Sequence, residues 1–176
     1  MDSLDLLRAS IRDVPDFPKP GIVFKDITPV LSNPQVFRTA IQHFVQQCAG
    51  KDLTRIVGID ARGFLFGATV AHELGIGFVP VRKKGKLPYK TVSYAYALEY
   101  GEAEVEIHTD AIEAGERVAL IDDLLATGGT ATAAVHLIQS LGATVVQAQF
   151  LIELAFLNGR AALAPTPVLS LVSYDD

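Results

Sequence analysis

The 176-residue chain has a single cysteine, Cys48, so no disulfide can close within it. Cys48 ends an apolar stripe of Val36, Phe37, Ala40, Ile41, Phe44 and Val45 at helical spacing, which reads as core. No stretch approaches the ~20 apolar residues that span a bilayer. Met1 to Val14 alternates acids with leucines, where a secretory leader would carry a basic flank and an apolar run. We therefore expect a soluble protein that stays in the cytoplasm and has no membrane partner. Cations are outnumbered, 15 Lys and Arg against 20 Asp and Glu, and the net charge of -5 argues against broad affinity for nucleic acid. His43, His72, His108 and His136 show no ligand spacing, so no protein-built metal site is expected.

Two nucleotide-binding motifs are also missing. Gly75-Ile76-Gly77 lacks the third glycine of the dinucleotide fingerprint, and Gly85-Lys86 is followed by Leu87 where a P-loop needs Ser or Thr. An anion would need a different device.

The composition that remains, 49% hydrophobic and 20% charged, describes an ordinary globular chain long enough to bury a core. We expect one domain over residues 1–176, with an arm over 1–32 and a lid and flap over 82–107. A short amphipathic helix is expected at Leu4 to Ile11. Pro15, Pro18 and Pro20 then interrupt regular structure before an extended piece at Ile22 to Phe24. Asn33 can cap, and Pro34 can open, a helix running to about Ala49. Short β-rich apolar runs at 55–59, 78–81, 118–121, 145–152 and 168–172, most of them separated by helical patterns, predict an α/β fold. Its central sheet should be mainly parallel and five-stranded, with helices on both faces. Residues 91–98 and 104–107 alternate around 99–103, as an antiparallel flap would.

The most informative string is Val118-Ala119-Leu120-Ile121-Asp122-Asp123-Leu124-Leu125-Ala126-Thr127-Gly128-Gly129-Thr130. An apolar strand ends in two carboxylates and then a turn of hydroxyls and glycines. Gly128 and Gly129 let successive N–H groups converge on an anion, and the helix starting near Thr130 adds its positive end. Adjacent carboxylates are costly unless a ligand uses them; vicinal sugar hydroxyls or a divalent cation would. A ribose 5-phosphate suits the whole. Downstream of the second strand, Arg82, Lys83, Lys84, Lys86 and Lys90 place five cations in nine residues of an acidic chain, a positive lid over a polyanion.

This string resembles the thirteen-residue phosphoribosyl pyrophosphate signature of the type I phosphoribosyltransferases. The likeness extends to the adenine-using branch through Phe17-Pro18-Lys19-Pro20-Gly21, Phe24-Lys25-Asp26-Ile27, 61–67, 82–88 and Leu98-Glu99-Tyr100-Gly101. The resemblance implies the type I fold with an N-terminal hood, and transfer of phosphoribosyl to adenine, giving AMP and pyrophosphate with Mg²⁺ held mainly by the substrate. It implies that Asp122, Asp123, Ala126, Thr127, Gly128, Gly129 and Thr130 hold the phosphoribosyl group, and that Arg62, Arg82, Lys83 and Lys86 hold pyrophosphate. Val23 and Lys25 would read adenine through their backbone, with Phe24 and Leu154 packing near the ring. Glu99 and Arg62 would act in catalysis. Lys25 stands where Arg is expected in many relatives, and a non-proline cis peptide is expected at Asp60-Ala61. A homodimer is implied as well. Two alternatives stay open: the hypoxanthine/guanine type, which usually carries a carboxylate where Ala126 stands, and a phosphoribosyl pyrophosphate sensor, which would need an added DNA-binding region.

Overall fold

The helix expected after Asn33 shows how local chemistry sets the elements. In the computed structural model, which describes residues 3–98 and 101–176, the Asn33 side chain accepts the N–H groups of Gln35 and Val36 at 3.0 and 3.3 Å. Pro34 opens the helix, and Val36, Ala40, Ile41, Phe44 and Cys48 form its buried face. In chain order the elements are α1 (Ser3–Ala9), β1 (Arg12–Pro15), β2 (Val23–Asp26), α2 (Thr28–Ser32), α3 (Pro34–Cys48), β3 (Arg55–Ile59), α4 (Gly63–Leu74), β4 (Gly77–Lys83), β5 (Thr91–Ala97) and β6 (Glu102–His108). β7 (Arg117–Leu125), α5 (Gly129–Ser140), β8 (Thr144–Leu154), α6 (Gly159–Leu163) and β9 (Val168–Tyr174) complete them.

Five strands run parallel in the order β4-β3-β7-β8-β9, as the apolar runs predict. The flap hairpin β5–β6 does not stand apart: β6 pairs antiparallel with β4 at Arg82↔Glu106 and Lys83↔Val105, which extends the same sheet to seven strands. Successive side chains of a strand face opposite ways, and β7 shows this directly. Val118 and Leu120 join the core under α5, while Ala119 and Ile121 join the core under α1, α3 and α4. Cys48 is buried in the second core, where burial pushes its thiol above the usual value and Gln149 Nε2 donates to its sulfur at 3.2 Å.

Among the prolines, where no regular structure is expected up to Ile22, β1 pairs antiparallel with β2 from Arg12↔Asp26 to Pro15↔Val23. Pro15 ends the ladder, a position where its missing N–H costs least. This hood docks on the last strand. Lys25 Nζ bonds Asp13 at 2.8 Å and lies 4.1 Å from the centre of the Tyr174 ring, whose other neighbour is Arg8 at 4.9 Å. Among the described residues, no helix is long and apolar enough to cross a membrane.

Candidate active site

β7 carries the acidic pair between β3 and β8, at the carboxyl ends of three parallel strands. In such sheets that end is where ligands bind. The strand continues four residues beyond the apolar run, through Asp122 and Asp123 to Leu125, so both acids keep the fixed alternation of a ladder. A cleft of about 410 Å³ opens here. Its walls are Asp60 to Arg62 after β3, Lys83 and Lys86 after β4, and the string from Asp122 to Ala131, with Tyr96 of the flap closing one side.

The acids do not behave alike. Asp123 is 7% exposed, and Arg62 Nε donates to its Oδ2 at 2.5 Å. Burial works against the Arg62 charge, but the hydrogen bond and charge of Asp123, together with the charge of Asp122, outweigh it and hold Arg62 above its ordinary value. Half of the Arg62 side chain stays exposed. Among the described residues only Nε is engaged, which leaves the terminal nitrogens for an anion in the cleft. Asp122 opens on the cleft but sits deep in packed surroundings; burial first, then the charge of Asp123, pushes its carboxyl well above the usual range. Its Oδ1 accepts the Asp123 N–H at 2.8 Å. The strand end thus offers two adjacent carboxyl groups in unlike surroundings, one of them paired with a guanidinium, at a spacing that suits vicinal hydroxyls.

Space for Asp122 comes from Gly63 at the start of α4, where a Cβ would lie 2.7 Å from Asp122 Oδ1. The phosphate turn rests on a second close approach. Gly128 has φ +86°, a conformation glycine adopts without penalty. Its back meets Gly159 of α6, and a Cβ on Gly159 would stand 2.2 Å from Ala126 O and 3.0 Å from Gly128 N. α6 is held in turn by Arg160, whose Nε and Nη2 donate to the two oxygens of the buried Glu153 on β8. On the open side, Thr130 Oγ1 donates to Tyr96 Oη at 2.9 Å.

Of the residues expected to bind phosphoribosyl and pyrophosphate, the structure brings together Arg62, Lys83, Lys86, Asp122, Asp123 and Ala126 to Thr130. Arg82 does not line the cleft. Its Nε donates to Asp60 Oδ2 at 3.2 Å and its Nη1 to Lys86 O at 3.5 Å, so it braces the loop from behind. The Asp60-Ala61 peptide is cis, as expected. Val23, Phe24, Lys25 and Leu154 are also outside the cleft lining. Val23 is half-exposed, Phe24 packs edge-on to Phe17 at 5.2 Å, and Leu154 is partly buried at the end of β8. Glu99 lies outside the described residues. Sequence reasoning missed the roles of Asp60, Tyr96, Glu106, Gly159 and Arg160. Their partners are distant in the chain, and no local pattern signals them.

Residues 28–161 match the phosphoribosyl transferase domain family. The adenine phosphoribosyltransferase of Methylococcus capsulatus is 56% identical over 97% of this chain and all of its own length. The chain belongs to the adenine phosphoribosyltransferase family. The crystal structure of the family member from Thermoanaerobacter pseudethanolicus superposes with a TM-score of 0.94 at 50% identity, covering 97% of this chain and 99% of that one. The Saccharomyces cerevisiae member, solved with adenine and an imino-altritol bisphosphate, superposes at 0.92 with 42% identity over 96% and 98%. The seven-stranded sheet with its hood is therefore the fold of this family.

Proposed function

We infer that the chain is a purine-salvage enzyme that transfers phosphoribosyl from phosphoribosyl pyrophosphate to adenine, giving AMP and pyrophosphate. The observation that carries this reading is the cleft itself. Two adjacent carboxyl groups, one of them bonded to Arg62, a glycine turn at a helix start and three cations converge on one space of substrate size.

A ring nitrogen of adenine forms its bond to ribose C1 as the bond from C1 to the pyrophosphate oxygen breaks, through a state with oxocarbenium character. In this reading Asp122 and Asp123 hold the ribose hydroxyls, and the Asp123 charge faces the positive charge that develops on the sugar. N–H groups of Ala126 to Gly129 and the hydroxyls of Thr127 and Thr130 take the 5-phosphate. Arg62, Lys83 and Lys86 take the departing anion, with Arg82 steadying their loop. Val23 and Lys25 read adenine through the hood backbone beside Phe24 and Leu154, and Glu99 exchanges a proton with the base.

Among the described residues no cluster of three or more His, Cys, Asp or Glu could hold a metal alone. The donor set fits a cation that draws most of its ligands from the substrate, with the Asp123 carboxylate beside it in the cleft, which suits Mg²⁺. Bound in that way, Mg²⁺ would neutralise the leaving pyrophosphate. The reading treats residues 1–176 as one catalytic unit, working as a homodimer in the cytoplasm; sedimentation of the purified protein tests the dimer.

The deciding experiment incubates the protein with phosphoribosyl pyrophosphate and Mg²⁺ and offers adenine, hypoxanthine, guanine and uracil separately. AMP from adenine alone is the expected result. Bound phosphoribosyl pyrophosphate without turnover of any base would replace the enzyme by a sensor.

A further inference from the structure

The loop that follows Lys83 and delivers Lys86 to the cleft is held by one buried acid. Glu106, on β6, is 4% exposed, although it lies between Val105 and Ile107 on an edge hairpin. Its Oε1 accepts three successive backbone N–H groups, from Gly85 and Lys86 at 3.1 Å each and from Leu87 at 2.9 Å. Its Oε2 accepts the Thr91 hydroxyl at 3.4 Å. Successive N–H groups converging on one oxygen are an anion-binding nest; here the anion is the protein's own carboxylate.

Burial acts to raise the Glu106 carboxyl, but the three N–H bonds outweigh it and hold it below the ordinary value. A charge taken out of water is tolerated only when it is fully bonded. The partners that satisfy this one belong to the loop and to the adjoining strand β5. One pleat away on the same face of β6, Glu104 binds Lys84 Nζ at 2.7 Å and Ser93 Oγ at 2.5 Å, which fixes Lys84 on the sheet. Lys83 and Lys86 are left to face the cleft.

We propose that Glu106 is a positioning residue for the leaving-group side of the reaction, fixing the backbone of 85–87 so that the Lys86 ammonium, with Lys83, meets the pyrophosphate. This rests on the pyrophosphate role of those lysines given above. An apolar residue at 106, on the face of β6 opposite Val105 and Ile107, would leave three N–H groups pointing at no acceptor. The loop would then settle where water satisfies them, and the Lys86 ammonium would be displaced, while Lys83 stays on the β4–β6 ladder.

The test measures kcat and both KM values for Glu106→Ala, Glu106→Gln, Glu106→Asp, Lys86→Ala and the Glu106→Ala/Lys86→Ala pair. Glu106→Ala is expected to raise the KM for phosphoribosyl pyrophosphate about tenfold or more, the scale of a lost charged hydrogen-bond set, while the KM for adenine stays within about twofold. Glu106→Gln, whose amide oxygen can still accept the three N–H groups, should regain most of the loss. The pair should be little worse than Lys86→Ala alone, because the two residues act through one contact. If Glu106→Ala does not fold, Glu106→Asp, one methylene short of the nest, should show the same selective rise. Equal rises in both KM values, or an unchanged KM for phosphoribosyl pyrophosphate in the Glu106 variants beside a raised one in Lys86→Ala, would overturn the role of Glu106 alone. An unchanged value in Lys86→Ala would overturn the pyrophosphate role of the loop, and the Glu106 proposal with it.

Discussion

A single methyl group at Gly159 tests whether α6 is the backstop of the phosphate turn. The Cβ of Gly159→Ala would stand 2.2 Å from Ala126 O, 3.0 Å from Gly128 N and 3.0 Å from Leu125 Cδ1. Carbon and oxygen make ordinary contact at about 3.2 Å or more, so the turn and α6 must separate by roughly 1 Å. α6 cannot easily retreat, because Arg160 ties it to Glu153 and, through Nη1 at 2.6 Å, to Val168 O. The turn therefore moves. Overpacking of this kind costs about 1–3 kcal/mol of stability, and a misplacement of about 1 Å at a positioning group can cost on the order of 10²-fold in rate. Melting temperature and the kinetics of both substrates separate the two effects. The expected result is a folded protein with a moderate fall in melting temperature and a loss of kcat/KM for phosphoribosyl pyrophosphate approaching two orders of magnitude. Gly50→Ala is the control: Gly50 has φ +70° and nothing within 4 Å of its Cβ position, so it should lose stability through strain but keep its kinetics. Kinetics in Gly159→Ala as close to wild type as those of Gly50→Ala would refute the backstop.

Other perturbations separate the acids from the groups around them. Burial, and then the charge of Asp123, hold the folded Asp122 carboxyl above the ordinary carboxylate value. As pH climbs from that value to the folded one, the unfolded chain gives up a proton that the folded chain keeps, and stability falls. Asp122→Asn should therefore match wild type near pH 3 and be the more stable of the two at pH 7, while its turnover drops; chemical denaturation at the two pH values checks this. Arg62→Lys keeps the charge but loses the Nε contact and the planar fork. It should raise the KM for phosphoribosyl pyrophosphate about tenfold or more and, with half of the side chain exposed, change stability by less than about 1 kcal/mol. Tyr96→Phe removes one hydroxyl from Thr130, a net loss of about 1 kcal/mol, and should weaken phosphoribosyl pyrophosphate binding about fivefold in calorimetry and lower the melting temperature by about 2–4 °C.

What could be read in advance follows from the range of the interactions. The five parallel strands and the Asn33-capped helix were legible because each is written in neighbouring residues: an apolar run, a cap, a proline at the first turn. The convergence of the acids, hydroxyls and glycines of 122–130 on one cleft was legible for the same reason, since they lie within thirteen residues. The hairpin β1–β2 was hidden by its prolines, which weaken a strand signal even where a short ladder tolerates them at its edge. The true end of β7 was hidden too, since pairing with β8 beyond the last β3 pair carries the strand through two carboxylates that any local rule would place in a loop.

The supports of the site show where local reading stops. Gly159 lies thirty-one residues from Gly128, Glu106 nineteen or more from the N–H groups it accepts, and Tyr96 thirty-four from Thr130. In sequence each has an ordinary appearance: a glycine before a short helix, an acid on an alternating strand, a tyrosine on a flap. The binding groups cluster in sequence because one turn can present several N–H groups to one anion. Holding that turn still requires contacts from outside it, since a loop braced only by itself loses too little freedom to fix a ligand. A catalytic turn of this type therefore depends on residues that its own motif cannot specify, and substitutions at Gly159, Glu106 and Tyr96 should disturb phosphoribosyl pyrophosphate before adenine, because all three brace the turn or the basic loop and none lies in the hood.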